Sequence, residues 1–207
     1  MNKAAQEKMN RTIIMAAIGC LLGVALFAGG GLAVADNLQD FIYAPGNLKP
    51  VDSRLKVAVG QLAPDFSLPS VGGKRITLSQ YRGKKNVVLS FVPAAWTPIC
   101  SDQWPGYNIS RKFFDRHNAI LLGITVDNIP TQHAWVRRMG GLWFDVLSDF
   151  WPHGEVADLY GVLRSDGTAE RALFFIDNAG VIRGIEVSDI NLRPPLEKVV
   201  EQLAALP

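Results

Sequence analysis

VVLSFVPAAWTPIC, residues 87–100, is a β-branched, mostly apolar run that passes through two prolines to a cysteine. Its opening part, residues 87–92, predicts a central strand in a sheet that is covered on both faces. Pro93 should end this strand because proline cannot donate to a ladder, and Pro98 suits the first turn of a helix. Cys100 is therefore predicted at a helix start, where unpaired N–H groups and the helix dipole favour a thiolate.

Strand and helix patterns alternate on both sides of this stretch. Two short strands on either side of Gly72 predict an edge hairpin, and the turn DNAG at 177–180 predicts a second hairpin. The remaining predicted strands are 119–126 and 144–147, and the predicted helices begin near Pro130 and cover 155–160 and 194–206. This order of elements predicts an α/β sandwich in which helices flank a mixed central sheet.

The first part of the chain carries a long apolar run. Residues 12–35 contain no charged side chain and are long enough to cross a hydrocarbon core of about 30 Å. Basic side chains precede the run and acidic ones follow it, which predicts a cytoplasmic amino terminus and an extracytoplasmic remainder, in a bacterial periplasm. The small residues at 33–35 match a signal-peptidase site, so a retained membrane anchor and cleavage after Ala35 to a soluble protein both stay open.

The predicted domain organisation follows from these patterns. Residues 1–35 form the membrane anchor or signal peptide. In residues 36–60 the apolar residues do not recur at a helix or strand spacing, and the segment is interpreted as a linker or peripheral arm. Residues 61–207 form one domain of ordinary size.

Composition argues against several function classes. The chain has 21 basic and 19 acidic residues, so nucleic-acid binding has no electrostatic support. The three histidines show no metal-ligand spacing, and we expect neither a metal nor a cofactor. The two cysteines are too few for a disulfide framework, and Cys20 lies inside the apolar run, where it is interpreted as a small hydrophobic residue.

The motif Pro-x-x-x-Thr-x-x-Cys, formed by Pro93, Thr97 and Cys100, resembles that of the peroxiredoxins. The arginine that this family carries near its penultimate strand is matched by Arg171. The segments PDF at 64–66 and SD at 148–149 also resemble family landmarks, and the resemblance covers residues 60–206. It implies a thioredoxin-like sandwich and a peroxidase.

The resemblance also implies a role for each motif residue. Cys100 would attack a peroxide and become a sulfenic acid, because a thiolate is the nucleophile that this reaction needs. Arg171 would supply the cation beside it, Thr97 would orient the peroxide through its hydroxyl, and Pro93 would shield the thiolate from water. The alternatives are a small buried hydrophobic residue for Cys100, a solvated charge at the entry of a strand for Arg171, and a helix cap for Thr97, which is compatible with its functional role.

Two departures from the family pattern narrow the hypothesis. Where the family often has an acidic residue soon after the cysteine, this chain has Asp102 and Gln103. No second cysteine follows Cys100, and Cys20 should lie in the bilayer or be removed with the signal. The chain is therefore interpreted as a one-cysteine enzyme that depends on an external thiol or a thioredoxin-like reductant. The aromatic-rich segment 142–151 is a candidate contact surface for a homodimer.

Two other function classes stay open. Extracytoplasmic thioredoxin-like proteins exchange disulfides, but Thr97 stands where such a protein would have its first cysteine, so one chain lacks the dithiol. A non-catalytic binding module that kept the fold is the other alternative, and the intact motif argues against it.

Overall fold

The computed structural model describes residues 37–207, which form one compact unit from Leu38 to Pro207. The predicted anchor or signal peptide, residues 1–35, lies outside the described residues. Within 37–207 no helix is both long and apolar enough to cross a bilayer.

A five-stranded mixed sheet forms the centre of this unit, as the sequence predicted. Its strands, in the spatial order β5-β4-β3-β6-β7, are β3 (Asn86–Phe91), β4 (Ala119–Thr125), β5 (Asp145–Ser148), β6 (Arg171–Ile176) and β7 (Ile182–Ser188). β3, β4 and β5 run parallel, whereas β6 is antiparallel to both β3 and β7. The fully buried side chains of β3 and β6 explain why both strands read as continuous apolar runs.

The predicted edge hairpin is a separate sheet of two strands, β1 (Ser67–Pro69) and β2 (Arg75–Thr77). It adjoins the central sheet through a single bridge between Ser70 and Leu147 of β5.

Five α-helices cover the central sheet within the described chain. They are α1 (Pro98–Ile109), α2 (Arg111–Arg116), α3 (Ile129–Arg138), α4 (Glu155–Tyr160) and α5 (Leu196–Ala204). The sequence patterns did not predict α2, a helix of only six residues. α3 begins one residue before the predicted Pro130, because the Asn128 side chain accepts the N–H of Thr131 and caps the helix.

Buried side chains form one hydrophobic cluster on each face of the sheet. One cluster includes Leu89, Phe91, Tyr160 and Phe174, and the other includes Cys100 and Trp104. The successive residues of β3 alternate between the two clusters, as a strand covered on both faces requires. Trp104 is a core residue, whereas 82% of Trp151 is exposed.

Residues 38–60 pack along the domain as an irregular arm that opens with a 3-10 turn at Leu38–Phe41. A buried ion pair anchors the arm: Arg164 Nη1 donates to Glu170 Oε2 at 2.6 Å. Arg164 Nη2 also donates to the Lys49 carbonyl at 2.9 Å, and Glu170 accepts the N–H of Asp52 at 2.5 Å. Both charges therefore gain hydrogen bonds to the arm that offset part of the cost of their burial.

Candidate active site

The first turn of α1 holds the reactive-cysteine candidate. Thr97 occupies the N-cap position with extended backbone, Pro98 opens the helix, and Cys100 follows in the same turn. The first amides of a helix lack intrahelical acceptors, and here proline removes one of those donors. The N–H groups of Ile99 and Cys100 remain at this end, and the Ser101 N–H closes the turn on the Thr97 carbonyl at 3.0 Å. The local backbone therefore favours negative charge near Cys100.

Sheet pairing brings the arginine candidate to this turn. Phe91, at the end of β3, pairs with Ala172 of β6, so Arg171 lies level with the point where the chain leaves β3 for the cysteine helix. Arg171 Nη2 lies 3.6 Å from Cys100 Sγ. Both residues are buried, and none of the Cys100 surface is exposed.

The guanidinium of Arg171 is held by neutral acceptors. Its Nε and Nη2 donate to the Ile190 carbonyl at 3.2 and 3.0 Å, and its Nη1 donates to Gln103 Oε1 at 2.6 Å. Among residues 37–207, no carboxylate forms an ion pair with Arg171. A buried cation with neutral acceptors favours a nearby anion, and the Cys100 sulfur is in position to carry that charge.

Gln103 is oriented by a second residue of α1. Its Nε2 donates to the Tyr107 hydroxyl at 3.2 Å, which directs the amide oxygen toward Arg171. Both residues are buried, and burial raises the pKa of Tyr107 well above its usual range. Tyr107 is therefore a neutral phenol at neutral pH.

Thr97 does not cap the helix through its side chain. Thr97 holds the N-cap position, but its hydroxyl donates to the Ala94 carbonyl at 2.9 Å instead of accepting from a helix amide. This local hydrogen bond forms because the Ala94 carbonyl lies three residues before Thr97, within reach of its side chain. Its oxygen keeps accepting capacity for a donor in the site.

Pro93, Thr97 and Arg171 line an open cavity of about 420 Å³. The three residues predicted to surround the cysteine thus share one cavity, and Cys100 lies behind them in contact with Arg171. Part of the cavity wall is formed by the arm, from Tyr43 to Leu48, and by Ile190 and Asn191.

The loop that carries the motif is fixed at two points. Trp96 has a left-handed backbone with φ of 61°, an unfavourable conformation for an aromatic residue, and its carbonyl accepts the Tyr43 N–H at 2.8 Å. The Ala95 N–H donates to Asp127 Oδ2 at 2.8 Å, which ties the loop to the end of β4. The site is therefore held by its supporting loops as well as by the helix.

Tryptophan side chains hold the helix behind the cysteine. Trp135 Nε1 donates to Ser101 Oγ at 2.9 Å, and Trp104 Nε1 donates to Ser90 Oγ at 3.1 Å. The two indole rings lie 4.9 Å apart between centroids. Buried donors that find acceptors in this way stabilise one orientation of α1.

Several residues of the site were missed by the sequence interpretation. The sequence interpretation named Gln103 as a departure from the family pattern but gave it no role, and its spacing of three residues from Cys100 was the indication that both lie on one helix face. The Ile190 carbonyl and the arm carry no side-chain pattern that points to the site. Within the described part of the chain, no group of three or more histidine, cysteine or acidic side chains is placed to hold a metal ion.

A mixed sheet that presents a buried thiol at a helix start, beside an arginine with no acidic partner within residues 37–207, is the arrangement of a thiol-based oxidoreductase of the thioredoxin-like class. The family model described as AhpC/TSA family matches residues 59–185. The chain therefore belongs to the AhpC/TSA family of peroxiredoxins and is an oxidoreductase of the peroxidase type.

Individual relatives agree with this assignment. Alkyl hydroperoxide reductase E of Mycobacterium tuberculosis is 40% identical over 130 residues, which are 62% of this chain and 84% of that protein. The chloroplastic 2-cysteine peroxiredoxin of Chattonella marina var. antiqua is 32% identical over 161 residues, 73% of this chain and 82% of that protein.

Solved structures show the same fold. Reduced 2-Cys peroxiredoxin of Plasmodium vivax aligns with a TM-score of 0.67 at 27% identity, covering 72% of this chain and 81% of that one. Mycobacterium tuberculosis AhpC aligns with a TM-score of 0.66 at 22% identity, covering 72% and 92%, and supports the fold alone.

Proposed function

We propose that this protein reduces hydrogen peroxide or small organic hydroperoxides through a sulfenic acid on Cys100. The observation that carries the proposal is the 3.6 Å contact between Cys100 Sγ and Arg171 Nη2, in a site where neutral groups satisfy the other donors of the arginine. The relatives named alkyl hydroperoxide reductase and peroxiredoxin support the same class of substrate.

The oxidation of Cys100 by the peroxide takes place in one step, in which each group of the site has a role. The Cys100 thiolate attacks one peroxide oxygen, an S–O bond forms, and the O–O bond breaks. Sulfur loses two electrons, and the leaving oxygen takes them. It also takes up from solvent a proton equivalent to the one that the Cys100 thiol released on ionising, and departs as water or an alcohol. Arg171 and the amides of the first turn of α1 stabilise the charge on the thiolate and on the leaving oxygen. Thr97 accepts a hydrogen bond from the peroxide, and Pro93 limits the access of water.

The cysteine content of the domain supports a one-cysteine cycle. Cys100 is the sole cysteine of residues 37–207, and Cys20 lies in the predicted apolar segment. Because no second thiol follows in the domain, an external thiol must attack the sulfenic sulfur, release water and form a mixed disulfide. A second thiol then restores Cys100.

The test of this proposal is a single-turnover reaction of the full chain without reductant. Mixing with hydrogen peroxide and a dimedone-type trap should label Cys100, and Cys100→Ser should abolish the label. Cys20→Ser is the matched control and should keep it. Peroxide consumption by Cys100→Ser at the normal rate would contradict the proposal, as would a chain that forms no Cys100-dependent product.

The same experiment separates the peroxidase from a thiol–disulfide exchange protein. A peroxidase consumes peroxide in proportion to Cys100 and releases one disulfide of the small thiol per turnover. An exchange protein would form a mixed disulfide with a disulfide substrate at a rate that peroxide does not change.

We also propose that residues 12–35 place the domain outside the cytoplasm. The absence of charge over this run and the basic residues before it support that location. Amino-terminal sequencing of the mature protein separates the two alternatives, because a start at Asp36 means that the segment is cleaved. A domain protected from external protease in spheroplasts would contradict the extracytoplasmic location.

A further inference from the structure

The cavity over the site is larger than hydrogen peroxide requires. Its volume is about 420 Å³, whereas a single water needs on the order of 10–15 Å³ of cavity. Sites for small organic ligands begin near roughly 300 Å³. The space beside Arg171 and Thr97 therefore accommodates a carbon chain attached to the peroxide.

The arm forms part of the cavity wall. Tyr43, Ala44, Pro45, Gly46 and Leu48 line the cavity, and this segment precedes the matched family region, which begins at residue 59. The arm thus adds an apolar surface to the site that does not come from the part of the chain shared with the family model.

Both ends of this wall are tied to the domain by backbone hydrogen bonds. At one end the Tyr43 N–H donates to the Trp96 carbonyl at 2.8 Å, directly beside Thr97. At the other end Leu48 N–H donates to Asn191 Oδ1 at 2.9 Å, and Asn191 Nδ2 donates back to the Leu48 carbonyl at 2.8 Å. A segment fixed at both ends presents a formed surface rather than a loose tail.

The polar side chains of the cavity are largely paired with one another. Asn191 is engaged with Leu48 and with Asp189 at 2.7 Å, and the Thr168 hydroxyl donates to Asp166 at 2.6 Å. What this wall offers a ligand is mainly carbon surface, and the cavity also carries the Asp166 carboxylate, Arg171 and the accepting oxygen of Thr97. An apolar chain with a peroxide at one end matches that distribution.

We propose that the segment from Tyr43 to Leu48 determines the specificity of the site and selects hydroperoxides with an apolar carbon chain over hydrogen peroxide. The inference rests on the proposed peroxidase function. The peroxide end meets Cys100 and Arg171 while the chain lies against the arm. The reaction is unchanged: sulfur takes one oxygen, the O–O bond breaks, and the alcohol leaves with a proton.

The test measures the oxidative half-reaction of the reduced full chain with a series of straight-chain hydroperoxides, from ethyl to hexyl, and with hydrogen peroxide. Thiol loss at Cys100 is followed with no reductant present, so that binding of the reductant does not contribute. Burial of each added CH₂ is expected to raise the second-order rate constant by up to about fourfold until the cavity is filled.

Leu48→Asn places a polar group in the wall without adding charge near the thiolate. We expect it to lower the ratio of the hexyl rate to the hydrogen peroxide rate by about tenfold, since several buried CH₂ groups lose their apolar surroundings. Leu55→Asn is the matched control, because Leu55 belongs to the arm but does not line the cavity. Its ratio should stay within about twofold of the wild-type ratio, as is usual for exposed positions.

Distinct outcomes separate the two proposals. A wild-type rate that does not rise with chain length, or equal ratios in the two leucine variants, would overturn the role of the arm while leaving the peroxidase intact. A chain that reacts with no peroxide at all would instead overturn the proposed function. If Leu48→Asn does not fold, Tyr43→Ser replaces it, since Tyr43 is 71% exposed and its loss costs little stability.

Discussion

Arg171 reaches Cys100 from a neighbouring strand and lies 3.6 Å from its sulfur, with Gln103 and the Ile190 carbonyl as its other partners. The arginine therefore brings a whole positive charge to the thiol, because no carboxylate in the described chain shares it. A positive charge at this distance attracts negative charge on the sulfur.

Removal of this charge should slow the reactions of the thiolate. We expect Arg171→Ala to lower the rate of Cys100 alkylation by iodoacetamide at neutral pH by about tenfold to a hundredfold, and to move the pH profile of the rate to higher pH. The matched control is Arg183→Ala, since Arg183 is half-exposed and pairs with Asp177 instead. An Arg171→Ala profile that overlays that of the wild type would contradict the electrostatic role.

A second prediction concerns Gln103, whose uncharged amide leaves the positive charge of Arg171 available to the thiolate. Gln103→Glu would place a carboxylate against Arg171 Nη1, where the amide oxygen now lies at 2.6 Å. The new anion should compete with the thiolate for the guanidinium and reduce alkylation at neutral pH by about tenfold. The measurement is the same pH-rate profile, together with thermal unfolding to confirm that the variant is folded.

Asp102 provides the control for this substitution because it is the neighbouring residue and faces solvent. It accepts a hydrogen bond from Arg193 Nη1 at 2.8 Å in an exposed pair. Asp102→Asn should change stability by less than about 1 kcal/mol and leave the alkylation profile unchanged. An effect equal to that of Gln103→Glu would show that general charge, rather than the contact with Arg171, governs the thiol.

Asp149 makes stability depend on pH. Burial raises its pKa to about 6, although the N–H groups of Ala157 and Val156 donate to it and offset part of that effect. Because the folded pKa exceeds the unfolded one, the folded state favours the protonated acid. This contribution to stability is complete below about pH 4 and is lost as the pH rises through 6.

The difference between wild type and Asp149→Asn isolates this effect. Urea unfolding at several values between pH 4 and pH 7 should show the free energy of unfolding of the wild type falling relative to that of the variant as the pH rises. A difference that stays constant with pH would mean that the carboxyl titrates equally in both states, contrary to the expected pKa.

The backbone of the arm packs closely against Gly161, at the end of α4. It has φ of 74°, and an added Cβ would lie 2.3 Å from the Arg54 carbonyl oxygen and from the Lys56 amide nitrogen. We expect Gly161→Ala to destabilise the protein by about 3 kcal/mol or more, because backbone strain and a clash with backbone atoms add together.

Gly73→Ala separates these two contributions. Gly73 has a similar φ of 79°, but nothing lies within 4 Å of its Cβ position. Its substitution should cost only about 1–2 kcal/mol, the penalty of the left-handed backbone. Equal costs in thermal or urea unfolding would show that the approach of the arm adds nothing at Gly161.

Much of the architecture followed from local patterns. The apolar run at 87–92 and the turn at 177–180 specified the central strand and the second hairpin, because each element carries its own signal in adjacent residues. The motif likewise placed Thr97 and Cys100 at one helix start, with Pro93 after the preceding strand. α2 gave no such signal, since six residues are too few to establish a period.

The contacts that complete the site were beyond the reach of sequence patterns. The arm is held by the N–H of Tyr43 and by both backbone groups of Leu48, and every residue carries such groups. The Ile190 carbonyl that positions Arg171 is also a backbone group, so no residue type in the sequence indicates it. The hydroxyl of Thr97 turned to Ala94 because a local acceptor was available, which a cap preference does not predict.

The full burial of Cys100 has a consequence for the second half of the catalytic cycle. Cys100 has no exposed surface and does not line the cavity beside Arg171, so we expect a protein reductant, which is too large to enter the cavity, to need an opening of the first turn of α1. We therefore expect opening of this turn to limit the rate of turnover with a protein partner. Amide hydrogen exchange at Ile99 and Ser101 would measure how often the turn opens. The enzyme would then discriminate between electron donors by size, and the rate of reduction by a large donor would depend on how often the first turn of α1 opens.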